Sequence, residues 1–217
     1  MAELFSVNGS RSVYDGKVVA VRVDEVVMPG GGTALREVVG HDRAVAVVAL
    51  DTESAEEPSV VMIEQYRHPL RRRLWELPAG LMDVAGEAAL LAAQRELAEE
   101  TGFAAADWQL LVDSAASPGF TDEVVRVFLA TGLYEVGRPA DPTDEEADLR
   151  VVRVPLSRAV QAVFDGAIVN SATVTGILSA KLALTGHFPL RDSDSPWADG
   201  VTVAGPGEPV GDAPALQ

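Results

Sequence analysis

Between Gly80 and Phe103 the chain reads G-L-M-D-V-A-G-E-A-A-L-L-A-A-Q-R-E-L-A-E-E-T-G-F. Its second half predicts a helix. Ala, Leu, Glu and Gln are strong helix formers, and no Pro or β-branched residue interrupts Glu87 to Glu100. Gly102 stands where a left-handed C-cap is expected. Leu90, Ala93 and Leu97 recur at helical spacing and face a core. Glu96 and Glu100 are four apart, so their carboxylates share a face, with Glu99 beside them. Three carboxylates near a helix C-terminus repel one another and oppose the helix dipole. A divalent cation would remove that repulsion, and hard cations such as Mg²⁺ take carboxylate and phosphate oxygens. E-L-A-E-E alone favours a solvated acidic face.

The spacing around it decides between the two. Glu87, seven residues, then Arg95-Glu96-Leu97-x-Glu99-Glu100-x-Gly102-Phe103 resembles the Nudix box, the signature of the Nudix hydrolases. The resemblance implies hydrolysis of a nucleoside diphosphate linked to another moiety. It implies a metal held by Glu96, Glu99, Glu100 and the carbonyl of Ala79. Mg²⁺ is the expected ion, with Mn²⁺ or another divalent cation as the alternative. The pattern departs from the family at one place: six residues rather than five separate Gly80 from Glu87. The extra residue falls to the loop from Leu81 to Gly86, and the spacing from Glu87 onward is intact.

Charge and composition narrow the remaining classes. A net charge of −16 over 217 residues argues against nonspecific nucleic-acid binding and against anionic membranes. The absence of Cys removes disulfides, thiolate metal ligands and a Cys nucleophile. Met1 to Ser10 carries no secretory signal, and the apolar-rich run Ala172 to Leu184 contains Lys181 and is too short to span a bilayer. A cytoplasmic enzyme is the expectation. Against the acidic background, Tyr66-Arg67-His68-Pro69-Leu70-Arg71-Arg72-Arg73 stands out as a basic cluster. Arg67 is its strongest candidate because it ends a strand leading toward the box.

Taken in order, Lys17 to Met28 and Ala34 to Val39 predict a hairpin about the turn Pro29-Gly30-Gly31-Gly32. Ala44 to Leu50 is nearly all apolar and predicts a buried strand. Further strands are expected at Val60 to Tyr66, Trp108 to Ser114, Glu123 to Thr131 and Leu149 to Val154. Leu74 to Leu77 leads through Pro78 into the box. Gly137 to Asp148 is a long acidic loop. Helices are expected at Ser157 to Phe164, capped by its Ser, and at Ala172 to Leu184, capped by Asn170-Ser171. This order fits an α+β or α/β sandwich. The Nudix resemblance narrows it to an α+β fold, a mixed sheet sandwiched between helices, with a small N-terminal β-hairpin domain. The expected divisions are a β-rich dimerisation domain at 1–42, a Nudix hydrolase domain at 43–186 and a loosely ordered tail at 187–217.

Three features bear on substrate. Pro118 lies fifteen residues past Phe103. The hairpin bearing Leu35-Arg36-Glu37-Val38-Val39 is similar to the N-terminal domain through which ADP-ribose pyrophosphatases dimerise and hold adenine. Gln65-Tyr66-Arg67-His68 and Leu74-Trp75-Glu76-Leu77-Pro78-Ala79-Gly80 look like that subfamily, its actinobacterial members above all. The resemblance implies that ADP-ribose and water give AMP and ribose 5-phosphate in a homodimer with exchanged N-terminal domains. It implies substrate contacts at Arg36, Glu37, Arg67, Glu76, Pro118, Gly119 and Phe120. Arg95 would orient a carboxylate or touch phosphate, and Glu87 would hold Arg95. A general base is expected on the acidic loop, Glu146 first and Glu145 second. The alternatives are a Nudix hydrolase for another nucleoside diphosphate sugar or a dinucleotide, and a non-catalytic ADP-ribose-binding regulator. A silent regulator would be expected to lose box carboxylates, and all are present.

Overall fold

The computed structural model describes residues 5–53, 56–139 and 148–197. Its strands are β1 (Ser6–Asp15), β2 (Val19–Val27), β3 (Thr33–His41), β4 (Ala44–Asp51), β5 (Ser59–Arg67), β6 (Arg72–Glu76), β7 (Ala79–Leu81), β8 (Phe103–Ala115), β9 (Val124–Glu135), β10 (Arg150–Pro155) and β11 (Arg191–Asp192). The helices are α1 (Ala89–Thr101), α2 (Leu156–Phe164) and α3 (Ser171–Ala183). Two compact units emerge. Of the described residues, one comprises 5–43, 115–124 and 196–197, the other 44–53, 56–114, 125–139 and 148–195.

The second unit is organised by β4, whose every residue is buried. Successive side chains of a strand point to opposite faces, so an unbroken apolar run requires cover on both. Ala44, Ala46, Val48 and Leu50 pack with Leu156 and Ala159 of α2 and with Ile177 and Ala180 of α3. Val45, Val47 and Ala49 pack instead with Ala92, Ala93 and Leu97 of α1. On β9, Val125, Val127 and Leu129 join the first cluster, while Phe128 and Ala130 join the second. The result is an α+β sandwich. Its sheet runs β10-β5-β4-β9-β8-β11, with β6 added to β5 and β7 to β4. β4 and β9 are parallel while β4 and β5 are antiparallel, so the sheet is mixed.

The first unit contains an antiparallel sheet in the order β1-β2-β3. The expected hairpin is present as β2 and β3, with Val27 opposite Thr33 across the turn. The strand β1 was not legible. S-V-N-G-S-R-S-V-Y-D has no sustained alternation, is almost wholly exposed, and carries two register shifts against β2. Residues Phe120 to Asp122 run alongside β3: the Val39 N–H donates to the Phe120 carbonyl at 2.7 Å. The Asp122 carboxylate accepts from the His41 N–H at 3.0 Å and pairs with Arg22 at 3.2 Å.

Local signals held at α1 and α3. Gly102 caps α1 with φ 75°, and the Asn170 side chain accepts from the Thr173 N–H at the start of α3. The Ser cap expected for α2 is absent. That helix begins at Leu156 after Pro155, and the Ser157 hydroxyl instead donates to Glu57 at 3.0 Å. From His187, residues 187–197 are described, and within them β11 pairs with β8. No helix among the described residues is long and apolar enough to cross a membrane.

The second unit also holds a buried ion pair between β9 and β8. Arg126 grips Asp113 through Nε at 2.7 Å and Nη2 at 3.0 Å, and both side chains are 3% exposed. Arg191 of β11 adds a bond to the same carboxylate at 3.1 Å, and Arg126 Nη1 donates to the Ser195 carbonyl. Burial alone would raise the Asp113 carboxyl. The bonds and charges of the two arginines outweigh burial and hold it below its ordinary value. Stability from this pair is therefore present above that ordinary value and is lost as pH falls through the lower folded one. Arg126→Met leaves a buried carboxylate with one partner fewer, and a loss of about 3 kcal/mol at pH 7 is expected in denaturant titrations. The gap to the parent narrows in acid, as pH falls through the lowered folded value and the carboxyl takes up a proton. Equal stability of the two chains at pH 7 would refute the role given to the pair.

Candidate active site

The site is built where β6 gives way to β7, which packs against α1. Pro78 lacks an N–H, and its carbonyl accepts from the Val47 N–H at 2.9 Å. One residue later the Ala79 N–H donates to Glu100 Oε2 at 2.9 Å. Gly80 follows, and a Cβ placed there would lie 2.1 Å from Glu96 Cδ and Oε1. Glycine at this position is what admits the Glu96 carboxylate. Between β7 and α1 the Glu87 N–H donates to the Val84 carbonyl at 3.0 Å, with Gly86 at φ 79°. That tight turn delays the helix to Ala89 and lies within the segment that carries the extra residue.

Arg95 of α1 gathers the carboxylates of Glu87, Glu96 and Glu99. Its Nε and Nη2 donate to the two oxygens of Glu87 at 3.2 and 3.0 Å. Its Nη1 reaches Glu96 at 2.6 Å and Glu99 at 3.2 Å. The bond to Arg95 lowers the Glu87 carboxyl, and the bond to Glu87 foremost raises the guanidinium. Glu96 is pushed up by burial, against the pull of Arg95 and with the charges of Glu99 and Asp83 adding. Glu100 is pushed up to about 8, first by burial. The Ala79 N–H and Arg67 oppose that rise, while Glu96 and Glu76 reinforce it. Glu76 is 1% exposed and is held by Arg67 in a fork, Nε at 3.0 Å and Nη2 at 2.6 Å.

These residues suit a hard divalent cation. The donors are carboxylates and backbone oxygen. Two carboxylates are buried with their charged forms disfavoured, which an added cation would reverse. The missing Cβ of Gly80 leaves room for one of them. Among the described residues no three Asp, Glu or His side chains converge as a ready-made metal cluster. Arg95 holds two of the carboxylates, so an ion would take Glu96 and Glu99 in competition with Nη1.

Of the residues singled out in the sequence, Arg67, Glu76, Ala79, Arg95, Glu96, Glu99 and Glu100 lie in the second unit. Arg36, Glu37, Pro118, Gly119 and Phe120 belong to the first. There Arg36 is exposed and donates to the Leu35 carbonyl at 3.0 Å, and Phe120 is 57% exposed. Glu145 and Glu146 fall outside the described residues. Sequence reasoning missed Asp83, whose charge bears on Glu96, and Thr173, whose hydroxyl accepts from the Leu77 N–H at 3.0 Å. Neither carries a sequence signal, because both act through neighbours brought in by the fold.

Residues 40–168 match the NUDIX domain model. The chain is 48% identical over 199 residues to ADP-ribose pyrophosphatase from Mycobacterium tuberculosis, covering 92% of this chain and 94% of that protein. It is 37% identical to methanol dehydrogenase activator from Bacillus methanolicus, over 77% of this chain and 88% of that protein. A solved structure titled as that of an ADP compounds hydrolase superposes with a TM-score of 0.72 at 21% identity, covering 86% and 97% of the two chains. That last likeness concerns the fold.

Two outcomes are expected of the site. Gly80→Ala forces only the end of a flexible side chain to move, so stability stays within about 1 kcal/mol of the parent. Divalent-cation affinity falls about tenfold or more because Glu96 is displaced. A parent-like affinity would show that Glu96 has no part in binding. The second outcome concerns pH. The folded carboxyl of Glu100 lies above its ordinary 4.5, so the folded state holds the proton longer, and metal-free stability falls between pH 4.5 and about 8. Glu100→Gln keeps an acceptor for the Ala79 N–H without the charge. In chelator-treated protein its melting temperature should match the parent near pH 5 and exceed it by about 5 °C near pH 8.5. A gap independent of pH would contradict the raised carboxyl.

Proposed function

The chain belongs to the Nudix family, and we propose that this Nudix hydrolase splits the pyrophosphate bond of ADP-ribose, releasing AMP and ribose 5-phosphate. The observation that carries the reading is 48% identity across almost the whole length of the M. tuberculosis ADP-ribose pyrophosphatase. The intact set of box carboxylates around Arg95 supports a working hydrolase over a silent binding module.

In this reading water attacks one phosphorus, the bond from that phosphorus to the bridging oxygen breaks, and the bridging oxygen leaves on the other phosphate. Glu96, Glu99, Glu100 and the Ala79 carbonyl would hold a divalent cation, Mg²⁺ first and Mn²⁺ as a substitute, which would neutralise phosphate charge and lower the pKa of water. Arg95, anchored on Glu87, sets the orientation of Glu96 and Glu99. Arg67 is held by the buried Glu76 and offers its guanidinium to the substrate phosphates. Glu146, or Glu145 after it, takes the proton of the attacking water. Arg36, Glu37, Pro118, Gly119 and Phe120 hold the adenosine side. Residues 1–42 act as the dimerisation domain of a cytoplasmic homodimer that exchanges these domains across a two-fold axis. Exposed Val13, Tyr14 and Leu35 give that sheet apolar surface to cover.

The deciding experiment is a hydrolysis panel with Mg²⁺, comparing ADP-ribose, other nucleoside diphosphate sugars and dinucleotides, with products identified. ADP-ribose should lead in kcat/KM by about tenfold or more, which corresponds to about 1.4 kcal/mol of transition-state discrimination. AMP and ribose 5-phosphate should appear in equal amounts. Preference for another nucleoside diphosphate would move the substrate assignment, and no hydrolysis at all would favour the regulator. In the same assay Glu146→Gln lowers turnover more than Glu145→Gln.

A further inference from the structure

Leu77 is the residue at which the chain leaves β6, paired with β5, for β7, paired with β4. It is 1% exposed, so its N–H needs a partner inside the protein. That partner is the Thr173 hydroxyl on the first turn of α3, at 3.0 Å. Thr173 is itself 1% exposed. Its hydroxyl proton goes to Asn170 Oδ1 at 3.0 Å, the same atom that accepts the Thr173 N–H and caps the helix. With its only donor committed to Asn170, the hydroxyl oxygen is left to accept from Leu77.

The crossing segment is thereby fixed at three successive residues from three elements. Leu77 is held by α3, Pro78 by the Val47 N–H of β4, and Ala79 by Glu100 of α1. Gly80 follows at once, and its missing Cβ is where the Glu96 carboxylate sits. Three consecutive residues are thus tied to α3, β4 and α1, immediately before the glycine that admits Glu96.

We propose that Thr173, oriented by Asn170, is a positioning residue that sets the Ala79–Gly80 backbone, and through it the cation-binding carboxylates Glu96 and Glu100. The proposal rests on the reading of this site as that of a divalent-cation-dependent hydrolase. It adds α3, which contributes no side chain to the box, to the machinery that shapes it.

The test compares the full chain with Thr173→Val, which keeps the shape and loses the hydroxyl, and with Thr173→Ser, which restores it. Mn²⁺ affinity is measured by calorimetry, alongside melting temperature and ADP-ribose kinetics. Thr173→Val should raise the Mn²⁺ Kd about tenfold and lower kcat at saturating Mn²⁺ by a similar factor. Its KM for ADP-ribose should stay within about twofold, and Thr173→Ser should recover both losses. A merely structural threonine would lower the melting temperature and leave the Mn²⁺ Kd unchanged, which would overturn the proposal, as would failure of Ser to restore affinity. Should Thr173→Val not fold, Asn170→Ser keeps a cap on α3 and removes the group that orients the hydroxyl. It should weaken Mn²⁺ binding in the same direction, and a parent-like Kd would overturn the proposal. A parent that binds Mn²⁺ but does not cleave ADP-ribose refutes the substrate reading alone. A parent that binds no Mn²⁺ overturns the positioning role together with the cation site.

Discussion

Everything at this site depends on keeping carboxylates buried at the C-terminal end of a helix. Glu96 and Glu100 are 9% and 5% exposed, and the dipole of α1 opposes a negative charge there. Burial of an ionised carboxylate without a partner is too costly to persist. The fold meets that cost with a different device at each residue. Glu96 is neutralised by Arg95, Glu100 accepts the Ala79 N–H, and Gly80 supplies the volume that Glu96 fills. The compensation is incomplete, since both carboxyls remain raised. Incomplete compensation is what a cation-binding site requires. A carboxylate fully satisfied by protein partners would have nothing left to gain from an ion.

The sandwich determines which backbone atoms can serve. β4 lies in the middle of the sheet with α1 on one face and α2 and α3 on the other. It pairs with β5 only at Leu50 and Asp51, and with β7 at Ala44 to Ala46. The chain crosses from β6 to β7 between those two pairings. A proline at the crossing gives up no ladder donor, and the flanking N–H groups are freed for side chains. The Ala79 N–H can therefore reach a helix carboxylate because the local sheet does not use it. Sheet topology and site chemistry are in this sense one arrangement.

Much of this was written in the sequence, and the exceptions share a cause. The strand β4 was legible because an apolar run of that length can only be buried on both faces. The helix α1 was legible from its formers and from Gly102, and the Arg95–Glu87 pair from the resemblance to the Nudix box. The strand β1 was not, because its pairing with β2 leaves its side chains almost wholly exposed. Ser157 gave a false cap signal, since Pro155 already sets the chain for a helix one residue earlier. Arg126–Asp113 and Thr173–Leu77 are separated by 13 and 96 residues, and nothing local marks either partner. Sequence patterns report periodicity and short-range geometry. They do not report which distant side chain completes a buried hydrogen bond.

The overall charge of −16 suggests a poor binder of phosphates, yet it is the wrong quantity to consult. Screening confines an exposed charge to roughly 8 Å at physiological ionic strength, so an anion near the site responds to its neighbours there. Those neighbours include Arg67, whose position is fixed by a carboxylate that is itself buried. The fork takes Nε and Nη2 on Glu76, and the Arg67 side chain is 41% exposed. An arginine pinned in this way loses little rotamer freedom when an anion arrives. The buried carboxylate lowers the positive potential of Arg67 somewhat and fixes its direction.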